Sequence, residues 1–258
     1  MAASEAGSQA VLDMGPLSDP LVWARETEFL RQGLNFVAES GFALHSFPDL
    51  SGLFTYLTRP ASLDLDDLFA LRQVMDQVSL AKQSVQDDPK ELWSDLGNDV
   101  LDQTEPVKTL AALKRCLDAE GRLRDESSPE LFSVRSEIRG INRQCTKKVK
   151  EYVTSQGLSD IMQDEFMTVS SDRYVLPIKS TYKTRLPGII HDYSQTGETC
   201  YFEPMFLVEL NNRLQELKQE EREAEKKVLK YLTSLVREES APLRVHYDWL
   251  VRLDTVYA

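Results

Sequence analysis

Eight cations in the second half of this 258-residue chain are spaced for one kind of chemistry, contact with phosphate. Arg173, Lys179, Lys183 and Arg185 lie in a stretch from 173 to 190 that holds no acid, with Tyr174 and Tyr182 among them. Arg135, Arg139, Arg143 and Lys147 recur every four residues and are joined by Lys148 and Lys150. Residues 135–150 thus carry six basic side chains against one acid, Glu137. A Lys or Arg set against a nucleic-acid backbone displaces a condensed counterion, and such contacts position a duplex without reading its bases. Both groups also have a plainer reading. Charges on a hairpin guard an exposed edge against pairing with another strand. The stripe can equally pair with the acidic run Glu216, Glu220, Glu221, Glu223 and Glu225.

Other chemistries find no support. There is no phosphate loop G-x-x-x-x-G-K-[ST], no G-x-G-x-x-G, no H-E-x-x-H and no G-x-S-x-G elbow. His45, His191 and His246 are scattered, so no metal set is expected. His191 beside Asp192 reads as a turn rather than an acid–base pair. Cys116, Cys145 and Cys200 fit neither a zinc spacing nor an even disulfide set, and reduced thiols are expected. No catalytic residue, metal or cofactor is therefore expected in this chain, which reads as non-enzymatic. Glu221 occupies a core-type helix position, where a charge sets register or reaches to the rim.

The elements that must hold the cations follow from pattern. The net charge of −12 argues against a general nucleic-acid binder, but it is unevenly placed. Residues 1–120 hold 9 basic and 20 acidic side chains, and residues 121–258 hold 21 and 22. The first half has helical spacing throughout: a polar leader over 1–16, then a partial helical core over 17–120. One helix follows Pro20 and stops at Gly41, a second opens near Leu63 with Asp64, Asp66 and Asp67 in its first turn, and shorter pieces cover 89–101 and 104–119. Residues 121–163 contain a long outgoing helix over about 129–156, opened by Ser127, Ser128 and Pro129 and stopped at Gly157. Its stripe, in four-residue steps, starts beside the 3.5-residue seam and winds outward. Residues 164–204 switch to short β-type runs and predict a four-stranded antiparallel sheet, with Pro177 marking an edge or a bulge. Residues 205–239 form a long return helix with apolar steps of 3 and 4, and 240–258 run back into the core. The expected fold is mainly α with a small antiparallel β insertion: a helical core and a two-helix antiparallel lever carrying the sheet at its tip. No apolar run is long enough to span a membrane and no secretory signal is present, so a cytoplasmic protein is expected.

Four segments carry a family resemblance: GRLRDESSPELFSVRSEIR (121–139), DEFMTVSSDRYVLPIK (164–179), GIIHDYSQTGETCYFEP (188–204) and VELNNRLQEL (208–217). In order and separation they resemble the second bacterial MutS family, the paralogue not used in mismatch repair. Its D-x-A-S-P-E-L segment opens the lever, its R-Y-V-L-P-V-K and G-x-V-H-D segments form the clamp, and E-L-N-N begins the return helix. The strong match covers 121–239, and the chain resembles roughly the first third of a full-length member. The family's ATPase domain is expected beyond Ala258, with a C-terminal nuclease domain after it, so ATP and Mg are implied only for that missing part. Members of the family are homodimers that encircle branched DNA and suppress recombination; some are associated with stalled ribosomes. The resemblance implies a lever and clamp that touches DNA backbone through Arg173, Lys179, Lys183 and Arg185, with Arg135, Arg139, Arg143 and Lys147 as a weaker set. A ribosome-associated module, or a purely structural arm for dimerisation, stands as the alternative.

Overall fold

A computed structural model describes residues 2–16, 18–87, 100–101, 103–158, 167–183 and 186–258. The chain forms two compact units, residues 1–124 with 227–258 and residues 125–226. Eight α-helices and one four-stranded sheet are present among the described residues, a mainly α fold with a small β insertion.

The first unit is helical: α1 (Glu5–Leu12), α2 (Pro20–Ser40), α3 (Ser51–Tyr56), α4 (Leu65–Gln86), α5 (Val107–Cys116) and, after the second unit, α8 (Ser240–Asp254). The expected stops and starts are in place. The Asp19 carboxylate accepts from Leu21 N at 2.8 Å ahead of Pro20, and Gly41 closes α2 at φ 68°. The Asp64 carboxylate accepts from Asp67 N at 2.8 Å and opens α4. Its buried residues Leu68, Leu71, Val74, Met75 and Val78 face the core with Leu113 of α5 and Leu243, Leu250 and Leu253 of α8. The helical piece expected over 89–101 lies, apart from 100–101, outside the described residues.

Residues 1–16 differ from the expected polar leader, because α1 lies within them. Ser4 caps it, accepting from Gly7 N at 2.9 Å, and is itself tied to the fully buried Asp254 of α8. Ala3 N, Ser4 N and Ser4 Oγ donate to that carboxylate at 2.6, 2.9 and 2.5 Å. Gly7 makes the approach possible, since a Cβ there would lie 2.1 Å from Asp254 Oδ2. The helix is short, with Val11 and Leu12 its only large apolar residues, and its partner is 250 residues away, so local pattern does not reveal it.

The second unit holds α6 (Pro129–Gln156), the sheet, and the first part of α7 (Met205–Glu238), whose residues from Lys227 belong to the first unit. Ser128 accepts from Leu131 N at 3.1 Å, Pro129 fills the first turn, and Gly157 ends α6 at φ 60°. Contacts run Arg135 to Glu221, Glu137 to Arg213 and Tyr152 to Phe206, so the α7 partner recedes as α6 advances and the two helices are antiparallel. Strands β1 (Thr168–Ser170), β2 (Arg173–Lys179), β3 (Gly188–Tyr193) and β4 (Thr199–Pro204) are all antiparallel, in the order β1-β2-β4-β3. Leu176, Ile178, Cys200 and Phe202 close the unit's core against Ile141, Cys145 and Leu214 of the helices. The three cysteines are buried, and none is in a disulfide.

Pro177 sits in an inner strand, yet β1 covers only Arg173 to Val175. Beyond it that side of β2 has no strand among the described residues, so the missing N–H of Pro177 breaks no ladder bond there. The expected bulge occurs in β3 instead, where the register shifts between Ile190 and Asp192. His191 is the extra residue, in a strand rather than in the expected turn.

Candidate nucleic-acid interface

The stripe on α6 behaves as a four-residue repeat must on a helix of 3.6 residues per turn, advancing about 40° at each step. Side-chain exposure rises along it: 20% at Arg135, 47% at Arg139 and 78% at Lys147. Arg135 lies among three carboxylates, donating to Glu221, Glu225 and Asp125 at 2.7, 2.8 and 3.1 Å. Arg139 donates to Asp125 at 2.7 Å. The expected pairing with the return helix is seen at Arg135, whereas Arg139 pairs with Asp125 instead, and together the two arginines tie α6 to α7 and to the turn at Asp125. Burial would push the Asp125 carboxyl up, but the hydrogen bonds from Arg139 and Arg135 outweigh it and hold the group below the usual carboxylate range. Glu221, the charged seam residue, is the partner of Arg135, which accounts for its core-type position. Arg143 and Lys147 are exposed, and the nearest acid to Lys147 is Glu151 at 3.9 Å.

The sheet cations also divide. Lys179, at the end of β2, and Lys183 are exposed. Lys183 Nζ stands 5.5 Å from the centroid of the Tyr193 ring. Arg185 lies outside the described residues. Arg173 departs from the expected phosphate contact, with a side chain only 18% exposed and committed to Glu203.

Glu203 is fully buried and sits at the centre of a polar cluster that local pattern did not disclose. Its Oε1 accepts from Arg173 Nη2 at 2.8 Å and from Asn211 Nδ2 at 2.6 Å. Its Oε2 accepts from Arg173 Nε at 3.0 Å and lies 2.5 Å from His191 Nε2. Burial pushes the carboxyl up, but bonds to Arg173, Asn211 and His191 outweigh it, and the group sits below the ordinary range. Arg173 reaches on to Asn212 Oδ1 at 2.8 Å. Asn211 meanwhile accepts from Tyr174 N at 2.9 Å and donates to Tyr174 O at 3.0 Å. Extending the β2–β4 register puts Tyr174 opposite Pro204, which has no N–H, and the Asn211 amide supplies the missing strand partner. The only forward signal was Glu203 itself, a lone acid in the apolar run TCYFEP. Among the described residues no group of three or more His, Cys, Asp or Glu is placed to hold a metal ion.

Comparison with known proteins bears on the sequence as a whole. No protein-family model matches the chain. It is 48% identical over 256 residues, 99% of its length, to the endonuclease MutS2 of Maridesulfovibrio salexigens, and 47% identical over 258 residues, 100% of its length, to that of Solidesulfovibrio magneticus. The endonuclease MutS2 of Carboxydothermus hydrogenoformans is 28% identical over 265 residues, again across 100% of this chain. These matches support a MutS-type chain. It spans about a third of the length of these curated relatives, 33% in each case. In this chain the segments RYVLPIK, GIIHDY, FEP and ELNN meet at one place, contributing Arg173, His191, Glu203 and Asn211 with Asn212. Three of the four resembling segments thus build the joint between sheet and helix. The fourth, which includes Asp125, Arg135 and Arg139, builds the ion cluster on α6.

Proposed function

We propose that residues 125–226 are the nucleic-acid-contacting part of a MutS2-type protein, touching the phosphate backbone of branched DNA without reading its sequence. The observation that carries the reading is the sorting of the cations. Arg173 and Arg135 are largely covered, with side chains 18% and 20% exposed, while Lys179 and Lys183 are exposed at the end of β2 and just after it. Exposed cations on a short rigid sheet suit phosphate positioning, which needs charge and a fixed support. The relatives' name, endonuclease, agrees with a nucleic-acid substrate for the whole protein. In this reading the lever and clamp serve suppression of recombination, and ATP and Mg act elsewhere in a longer polypeptide. No described feature favours the ribosome as the partner.

The test is a mobility shift of a four-way DNA junction across a salt series. The combined variant Lys179→Glu, Lys183→Glu, Arg185→Glu is expected to lower affinity at least tenfold at 0.1 M salt, since each lost phosphate contact removes a counterion-release term of about 0.9 in log–log slope. Unchanged binding would remove the sheet from the interface. A dimer by light scattering with no DNA affinity would favour the structural-arm alternative.

A further inference from the structure

The geometry points to a second phosphate-contacting surface on α6, the outward ridge of Arg143, Lys147 and Lys150, laid along the backbone of a DNA duplex. The inference rests on the nucleic-acid reading above and adds a separate site to it. At 3.6 residues per turn these three residues fall within an arc of about 60°, opposite the face that buries Ile141, Cys145 and Val149. All three are exposed, and Arg143 and Lys150 have no acidic partner among the described residues. The contact of Lys147 with Glu151 at 3.9 Å is a surface pair one turn along, of a kind that holds its partners weakly.

The chemistry selects the class of partner. Beside the cations the surface presents Thr146, Asn142 and one acid, Glu151, with no apolar side chain to anchor a protein partner's core. At 1.5 Å per residue the charges follow one another at about 6 and 4.5 Å, a line about 10 Å long. A regularly charged polymer answers such a line better than a folded acidic patch does, and duplex DNA carries one charge per about 3.4 Å of each strand. The support is stiff. Asn142 beside Arg143 accepts from Tyr174 Oη of β2 at 3.1 Å, so ridge and sheet are joined within one unit.

The experiment compares four proteins on one duplex of mixed sequence: the unaltered chain, the ridge variant Arg143→Gln, Lys147→Gln, Lys150→Gln, the sheet variant Lys179→Glu, Lys183→Glu, Arg185→Glu, and a control, Lys218→Gln, Arg222→Gln, Lys226→Gln. The control removes the same charge from α7. Gln keeps helix propensity near that of Lys and Arg, and circular dichroism melts verify that each variant is folded. The ridge variant is expected to flatten the slope of log K against log salt by about 2–3, while the control moves it by less than about 1. A ridge variant that keeps the full slope, while the sheet variant loses binding, overturns the ridge and leaves the proposed function standing. Equal flattening by ridge and control overturns it too, as an effect of net charge. Absence of salt-dependent binding by the unaltered chain overturns both.

Discussion

Glu203 holds a charge with no access to water, and its contacts with Arg173, His191 and Asn211 explain how. A buried ion costs several kcal/mol unless paired, and removal of one partner strands the other. Glu203→Gln is therefore expected to destabilise the second unit by about 3–5 kcal/mol at pH 7, read as a lower urea midpoint. The same residue sets an acid response. Its folded carboxyl lies below the ordinary value, so its stabilisation is complete above about pH 4.3 and is lost as pH falls through that point toward the folded value. The unaltered chain should lose stability below about pH 4.3 more steeply than Glu203→Gln does. Asp49, Asp118 and Asp125 are lowered as well, and because both proteins share them the difference isolates Glu203. An identical acid slope in the two proteins would contradict this assignment. Burial also raises Cys145 and Cys200, which keeps both as unreactive thiols.

At the scale of elements, the long helices were legible because their ends are marked by local chemistry. Ser128, Pro129 and Gly157 bound α6 where expected, and the apolar steps of α7 bound its core face. The four strands were legible from β-branched runs between turn residues. Helix α3 was not, since six residues give too little period to read. The joint of sheet to helix was also hidden, because Arg173 lies 30 and 39 residues from its partners Glu203 and Asn212 and each looks ordinary alone. The outward winding of the stripe was readable, whereas the loss of Arg135 and Arg139 to Asp125 depended on a turn whose path no periodicity reports. Asn211 gives the element-level prediction. Asn211→Leu removes both bonds to the Tyr174 backbone, so the Tyr174 amide should exchange with deuterium at least tenfold faster while the α6 amides keep their protection. Equal loosening of both would show that Asn211 supports the unit through Glu203 rather than through the Tyr174 backbone.

For the whole molecule, the acid excess of residues 1–120 and the near balance of 121–258 mean that net charge says little about where a polyanion docks. No helix among the described residues is long and apolar enough to cross a membrane. The first unit is closed by Asp254, which receives three donors from the beginning of the chain. Asp254→Ala should release α1, with faster amide exchange over residues 5–12 and a lower urea midpoint for the first unit, by about 1–3 kcal/mol. That closure also sets an order of events during translation. Ser4 and Asp254 are 250 residues apart, so at roughly 5–20 residues per second about 12–50 s separate their synthesis. Every residue of the inserted unit, 125–226, is made inside that interval. The sheet and its helices can be complete on the nascent chain while α1 still awaits its acceptor.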